Sequence, residues 1–172
     1  MNRGMTIRSA RGADAGAVAV LLDQLGYPQD DPAATADRIR SWADDPAGAA
    51  YVAEADGELL GVVAVRVCPY FERGGAWARI TALVVSDRAR RRGVGARLLA
   101  AAESFAIRQG CRRMEVTSAD HRSDAHAFYR RRGYTDQAGS SSRFLRDLDT
   151  GADRYRAAVV TRPPGARPSA GP

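Results

Sequence analysis

Seven consecutive residues at positions 90–96, Arg-Arg-Arg-Gly-Val-Gly-Ala, have the composition of an anion-binding turn. Glycine lets a ligand approach the main chain closely, and arginine donates charge-assisted hydrogen bonds to phosphate oxygens. Arg88 and Arg97 lie on either side, so five arginines fall within ten residues and would repel one another without a counter-ion. The stretch predicts a binding site for a small molecule that contains phosphate.

A strand and a helix must flank this turn for it to hold a phosphate. Residues 78–85, ARITALVV, are rich in β-branched side chains and end at Ser86, which indicates a strand. Apolar residues recur at helical spacing over residues 94–109, so we expect an amphipathic helix that Gly110 ends. The first turn of such a helix carries unpaired N–H groups and the positive end of the helix dipole. Both favour a bound anion.

The glycine spacing of the turn differs from the two common nucleotide-binding fingerprints. The Walker loop ends in Gly-Lys-Ser/Thr, and the dinucleotide motif needs three glycines and an acidic residue about twenty positions later. A solvated Arg-Gly connection without any ligand is the alternative interpretation of the turn taken alone.

Two motifs together resemble those of the GCN5-related N-acetyltransferase (GNAT) family. RRRGVG at residues 90–95 matches the family's Q/R-x-x-G-x-G/A signature, and the strand before it is similar to the family's fourth strand. Residues 125–134, AHAFYRRRGY, are similar to the family's A-x-x-F-Y-x-x-x-G-F/Y element. The resemblance covers about residues 60–148, and by topology alone residues 5–59. It implies acetyl-coenzyme A as co-substrate and an acyltransferase activity.

The resemblance also implies which residues hold the cofactor. The pyrophosphate would lie on the main chain of residues 91–96, with the arginines near the phosphates. Main-chain groups at the end of the strand would hydrogen-bond the pantetheine arm as an added half-strand. The expected cofactor-binding residues are Leu83, Val84, Val85, Arg90, Arg91, Arg92, Gly93, Val94, Gly95 and Ala96.

Tyr129 is the catalytic residue that the resemblance implies, as the general acid that protonates the departing thiolate. A phenol has an ordinary pKa of about 10, above the roughly 8.5 of a thiol, so it stays protonated near neutral pH. Proton transfer is mildly uphill unless the site lowers the pKa of the phenol. A half-buried structural tyrosine next to Phe128 is the alternative interpretation.

Two positions depart from the family's pattern. The asparagine that members often carry three residues before the A-x-x-F-Y element is Arg122 here, and no carboxylate lies between Trp77 and Ser86, where many members have a glutamate base. The general base is therefore unassigned. The candidates by location are Glu115, Asp120, His121 and Asp124. Candidates for the border of the acceptor site are Tyr70, Phe71, Glu72 and Trp77.

The composition is that of one globular domain with an ordinary core. The chain has 172 residues, of which 45% are hydrophobic and 27% charged. It has no long apolar run and no signal peptide at its amino terminus, so we expect a cytoplasmic protein without a membrane partner. Cys68 and Cys111 lack metal-binding spacing, and His121 and His126 have no supporting ligands, so no metal is expected.

The net charge is +6, and all 26 basic residues are arginine. Such a charge can indicate nucleic acid, yet no nucleic-acid motif is recognisable. The phosphates of a small ligand account for the arginines of the turn more simply. We therefore do not expect a nucleic-acid partner.

The predicted elements follow the order strand, two helices, hairpin, strand, helix, strand, helix and two strands. Asp14 is expected to cap the first helix, Asp56-Gly57 to turn the hairpin, and residues 134–137 and 142–148 to pair as the last strands. The order predicts an α/β fold with a GNAT-like mixed, splayed sheet of about six to seven strands flanked by about four helices. This domain would span residues 1–148. Residues 149–172 would form a C-terminal extension, disordered from about residue 162.

The leading functional prediction is an N-acetyltransferase that moves acetyl from acetyl-coenzyme A to a primary amine on a small molecule. Direct attack in a ternary complex would give an oxyanion that an N–H near Val85 stabilises. A catalytically inactive coenzyme A-binding regulatory module is the alternative, and a nucleic-acid binder that uses residues 90–92 and 130–132 is a third. The sequence leaves open the identity of the acceptor, the general base, a homodimer and the role of the tail.

Overall fold

The computed structural model describes residues 4–29 and 31–146, which contain five strands and four α-helices. In chain order the elements are β1 (Thr6–Ser9), α1 (Ala15–Gln24), α2 (Pro32–Asp44), β2 (Gly48–Ala55), β3 (Glu58–Pro69), β4 (Ala76–Val85), α3 (Val94–Arg108), β5 (Cys111–Val116) and α4 (Ser123–Arg131). Short 3-10 helices, Gly12–Asp14 and Asp87–Ala89, precede α1 and the turn that leads into α3. None of the helices in these residues is long and apolar enough to cross a membrane.

The sheet is mixed, and its strands lie in chain order from β1 to β5. The first three pairs are antiparallel, whereas β4 and β5 are parallel because α3 connects them as a crossover. The hairpin between β2 and β3 turns at Asp56 and Gly57, whose φ angles of 52° and 80° are those of a two-residue hairpin turn. The predicted α/β class and the hairpin are confirmed.

The predicted number of strands was too high. The described residues form five strands, and neither residues 134–137 nor residues 142–146 join a sheet. The main chain here closes on itself instead: the N–H groups of Ser140 and Ser141 donate to Gln137 O, and Asp136 Oδ1 accepts from Ala138 N. Polar residues that bond their own turn compete with a strand ladder.

The described residues divide into two compact units, one ending at Tyr134 and one beginning at Thr135. All nine elements belong to the first unit. The predicted domain boundary at residue 148 and the extension over residues 149–172, with disorder from about residue 162, lie outside the described residues.

Asp14 does not cap α1 as predicted, because Arg8 and the main chain engage its carboxylate. Arg8 donates to both oxygens of Asp14, at 2.8 and 2.9 Å, and Arg11 N donates at 2.7 Å. Arg8 Nε also donates to Glu54 Oε2 at 2.6 Å, which links β1, β2 and the start of α1. The hydrogen bond from Arg8, ahead of the other contacts, holds the pKa of Asp14 below its ordinary value.

Helices cover both faces of the sheet. Apolar side chains of α3 pack on one face, against a buried set that comprises Ala53, Val63, Val65, Ala78 and Ile80. The other face packs against α1 and α2, and its buried strand residues are Val52, Val62 and Val84. Alternate residues of β3 therefore belong to different cores, as the period of a strand buried on both faces requires.

Gly61 of β3 allows α3 to approach the sheet closely. A Cβ at this position would lie 2.7 Å from Val84 O and 2.9 Å from Leu98 Cδ1. Leu98 is fully buried, so neither neighbour has free space to move into. The absence of a side chain at Gly61 thus sets the distance between α3 and the end of β4.

We expect Gly61→Ala to lower the free energy of unfolding by about 1–3 kcal/mol, because the added methyl overpacks main chain and core. Urea unfolding followed by circular dichroism measures the change. Gly16→Ala is the matched control, since a Cβ at Gly16 of α1 meets nothing within 4 Å. That control should stabilise the protein by up to about 1 kcal/mol through helix propensity. Equal stability of Gly61→Ala and wild type would contradict the close packing.

Candidate active site

One edge of β4 is open where its pairing with β5 ends. Ile80 and Val116 form the last parallel pair, while the antiparallel pairing of β4 with β3 continues to Val85. A β-bulge lies at the same place, because the register with β3 skips Thr81, whose Oγ1 donates to Ala64 O at 3.3 Å. The rest of β4 therefore presents main-chain groups without a strand partner on the β5 side, within the part of the chain that is described.

The turn before α3 leaves the start of that helix open. Arg91 and Gly93 both adopt the left-handed conformation, with φ of 63° and 78°. Gly93 is the N-cap residue, and no side chain caps the helix. A Cβ built at Gly93 would meet no described atom within 4 Å. The first N–H groups of α3 thus border space that a ligand can enter.

The three arginines of the turn, Arg90, Arg91 and Arg92, are exposed around this opening. Arg90 Nη2 lies 2.7 Å from Asp87 Oδ1, so a surface ion pair holds one guanidinium beside the turn. A pair of this kind contributes about 0–1 kcal/mol, so a phosphate can replace the carboxylate at small cost. The arrangement concentrates positive charge at the positive end of the α3 dipole.

Gly95 brings three of the motifs into contact. A Cβ built there would lie 3.5 Å from Phe128 Cζ and 3.5 Å from Val85 Cγ2. Val85 is the last residue of β4, and Phe128 precedes Tyr129 in α4. The Phe-Tyr element, which is far along the chain, therefore meets the strand end and the helix start within one layer of van der Waals contacts.

Tyr129 is half-buried in a cluster of aromatic rings. Its ring centroid lies 5.2 Å from that of Phe128 and 5.6 Å from that of Tyr134. Burial raises the pKa of Tyr129 above 10, and the positive charge of Arg122 acts in the opposite direction. The site therefore keeps the phenol protonated, and proton transfer from it is more uphill than from free tyrosine.

Tyr134 fixes one side of this aromatic cluster. Its hydroxyl donates to Glu103 Oε1 of α3 at 2.9 Å. Burial, together with this hydrogen bond, raises the pKa of Tyr134 well above its ordinary range. Sequence reasoning did not identify Glu103, although it is the single acidic residue within α3.

The four candidates for the general base are not gathered at one point. Glu115 forms an ion pair with Arg79 of β4, so its charge is already compensated. Asp120 and His121 are exposed in the turn before α4, and Asp124 Oδ1 accepts from the N–H that follows it in that helix. The general base is still unassigned.

A cleft of about 510 Å³ opens between the α1–α2 connection and the bulge of β4. Its lining includes Leu22, Leu25, Tyr27, Arg38, Thr81 and Ala82. The residues predicted for the border of the acceptor site do not line this cleft. They are Tyr70, Phe71, Glu72 and Trp77. Phe71 is fully exposed, and Tyr70 packs against the guanidinium of Arg73 at 4.0 Å.

One residue of this cleft, Tyr27, has a sequence context that indicates a binding surface. Tyr27 lies between a glycine and a proline in the connection after α1, and it stays 65% exposed. A large aromatic residue in such a connection needs no place in the core, and is free to line a binding surface.

Metal-binding groups are not assembled in the described residues. Over residues 4–29 and 31–146, no three His, Cys, Asp or Glu side chains come close enough to hold an ion. Cys68 and Cys111 are free thiols, and burial raises the pKa of Cys111. A raised pKa leaves less of the reactive thiolate at neutral pH.

Comparison with known proteins identifies an acyl-coenzyme A-dependent acetyltransferase. The family model described as "Acetyltransferase (GNAT) family" matches residues 19–134, which is more than half of the chain. The chain belongs to this family.

One relative is similar in sequence, and two solved structures share the fold. The chain is 29% identical over 141 residues to the "Uncharacterized N-acetyltransferase YhfO" of Bacillus subtilis, covering 78% of this chain and 93% of the relative. The structure of a "transcriptional regulator" from Bacillus halodurans shares the fold, with a TM-score of 0.73, 23% identity and coverage of 84% of this chain and 100% of that one. The aminoglycoside acetyltransferase AAC(6')-Iy, in complex with the bisubstrate analogue CoA-S-monomethyl-acetylneamine, superposes with a TM-score of 0.72 at 20% identity, covering 85% and 99% of the two chains.

We expect Arg122→Met to raise the pKa of Tyr129 further, because the substitution removes the positive charge that favours the phenolate. The pKa is read from the pH titration of ¹³C-labelled tyrosine ring signals, with Tyr129→Phe to assign the resonance. Arg108→Met, at the far end of α3, is the control and should leave the titration where it is in wild type. A pKa of Tyr129 unchanged by Arg122→Met would show that the charge does not act on the phenol.

Proposed function

We propose that this protein transfers acetyl from acetyl-coenzyme A to a primary amine on a small molecule, with Tyr129 as the general acid. The observation that carries the proposal is the junction at Gly95, where the end of β4, the open start of α3 and the Phe128-Tyr129 element meet. Such a junction puts an anion site, a free strand edge and a proton donor next to one another.

Acetyl-coenzyme A fits the residues at this junction. Its pyrophosphate would lie on the main chain of residues 91–96, with Arg90, Arg91 and Arg92 around it. The uncapped helix start and the empty space at Gly93 suit a phosphate. Main-chain groups of Leu83, Val84 and Val85 would bind the pantetheine arm along the open edge of β4, as an added strand does. The solved complex of AAC(6')-Iy with a coenzyme A bisubstrate analogue supports this choice of ligand.

When bound, acetyl-coenzyme A supplies a thioester carbonyl that an amine can attack directly in a ternary complex. The protein's part is to hold the amine beside that carbonyl, to offer a main-chain N–H near Val85 to the oxyanion, and to donate a proton from Tyr129. The cleft adjoins the same strand, because two of its lining residues, Thr81 and Ala82, directly precede Leu83 on β4. We propose the cleft as the acceptor site.

The first test is thermal unfolding with and without acetyl-coenzyme A. At about 100 times the dissociation constant, binding should add about 2.7 kcal/mol of stability. For a chain of this size that is a rise in Tm of roughly 5–10 °C. Gly93→Asp should abolish the rise, because its carboxylate repels the phosphates at the helix start.

Gly110→Asp is the matched control for this substitution. Gly110 ends α3 with a φ of 77°, almost that of Gly93, and a Cβ there also meets nothing within 4 Å. The two variants thus share the same backbone strain and added charge, but Gly110→Asp should keep the shift. A wild type that is folded and shows no shift would refute acetyl-coenzyme A binding.

The second test is Tyr129→Phe, which we expect to lower kcat by about 10²–10⁴-fold, because the proton donor is lost. The dissociation constant for acetyl-coenzyme A, measured by calorimetry, should stay as in wild type. Tyr51→Phe is the control, since Tyr51 lies on β2 and its hydroxyl makes only a 3.5 Å contact with Arg108. A kcat of Tyr129→Phe within a factor of about three of wild type would remove Tyr129 from the mechanism.

A further inference from the structure

The cleft that we propose for the acceptor contains an arginine held in place by neutral groups. Arg38 of α2 lines the cleft, and its Nη2 donates to Thr35 Oγ1 at 3.0 Å and to Gln29 Oε1. Thr35 is buried with 1% of its surface exposed, and its hydroxyl also contacts Asp31 O at 3.3 Å. These bonds fix the direction of the guanidinium without neutralising its charge.

No carboxylate compensates Arg38 within the described residues. The ion pairs found there, out to 4.0 Å, do not include it, whereas Arg40 on the same helix pairs with Asp37. Asp31 also lines the cleft, but its Oδ1 accepts from Ala33 N at 2.8 Å as the cap of α2. The cleft therefore combines mainly apolar side chains with an oriented guanidinium that forms no ion pair with any described carboxylate.

This charge distribution is unusual for a site that binds an amine. A primary amine is a cation near neutral pH, and a guanidinium in the same cleft repels it. An acceptor that also carries an anion removes the repulsion and gives the planar guanidinium the oxygen pair it binds best.

We propose that Arg38 binds an anionic group, a carboxylate or a phosphate, on the amine acceptor, so that the substrates of this enzyme are amines carrying an acidic group. The inference rests on the proposed function and deepens it. The anion lies at the α2 side of the cleft and the amine at the β4 side, beside Thr81 and Ala82. The apolar side chains between them contact the carbon chain of the acceptor.

The experiment compares pairs of acceptors that differ only in charge. Acetyl transfer is followed by the release of coenzyme A thiol with ω-amino acids from β-alanine to 6-aminohexanoate, each against its neutral carboxamide. A second comparison, of O-phosphoethanolamine with ethanolamine, tests a phosphate as the acidic group. We expect kcat/KM for at least one anionic acceptor to exceed that of its neutral partner by about two- to five-fold, the range of one exposed charge pair. The best chain length and the better of the two arms identify the acidic group.

Arg38→Gln should reduce this preference ratio to about one, and Arg38→Lys should retain part of it, because lysine keeps the charge but loses the planar fork. Arg40→Gln is the matched control on the same helix and should keep the wild-type ratio. Thermal unfolding of each variant checks that the bonds to Thr35 and Gln29 are not needed for folding. The lysine variant keeps the test informative if the glutamine variant is unstable.

The outcomes separate this inference from the proposed function. Transfer to the carboxamides without any preference for the anionic partners overturns the role of Arg38 and leaves the acetyltransferase standing. If Arg38→Gln still prefers the anionic acceptors, the role of Arg38 is likewise overturned and the acetyltransferase activity stands. If wild type transfers acetyl to none of these amines, calorimetric titration of 6-aminohexanoate and O-phosphoethanolamine into the acetyl-coenzyme A-saturated protein decides. Binding that Arg38→Gln abolishes supports the inference, and no binding overturns it.

Discussion

The structure depends on a difference in pairing length between the two edges of β4. One side pairs with β3 along its whole length, whereas the other pairs with β5 only as far as Ile80, where the bulge at Thr81 turns the strand. A strand edge inside a protein must find other partners for its main-chain groups, because unpaired polar groups are costly to bury. Beyond Ile80, the β5 side of β4 therefore has main-chain groups without a strand partner in the described residues.

The close packing of α3 makes that edge useful. Gly61 lets Leu98 approach the sheet next to Val84, and Gly95 lets the first turn of the helix contact Val85 and Phe128. Two glycines, one on a strand and one on a helix, thus place an uncapped helix start beside the open strand. Tyr129 follows Phe128 in α4, and its ring lies next to that of Tyr134, which donates to Glu103 of α3. The end of β4 and the start of α3 are joined by one turn, whereas α4 reaches them only through packing.

The sequence predicted the local elements well, because their signals are local. The hairpin at Asp56-Gly57, the strand that ends at Val85 and the helix that begins at Val94 follow from turn chemistry, β-branched content and helical spacing, and the structure has each of them. The predicted helix cap and the predicted last strands were wrong, because the groups involved form other hydrogen bonds. Asp14 has the residue type of a helix cap, yet Arg8 of β1 binds its carboxylate. Residues 136–141 hydrogen-bond within a turn, and the described residues on either side of it form no strand pair. Residue types alone do not show which of several available groups a side chain or main-chain atom will bond in the folded protein.

The sequence by itself determined the family and the turn of residues 90–96, and it predicted a role for Tyr129, since these rest on residue types at fixed spacing. Only the tertiary structure decided where β4 parts from β5, that Gly95 touches Phe128, and that Arg38 lines a cleft beside Thr81. It also decided the electrostatic state of Tyr129, whose pKa reflects burial and the charge of Arg122. The physical reason is that burial and charge depend on distances in space, which the spacing of residues along the chain does not define.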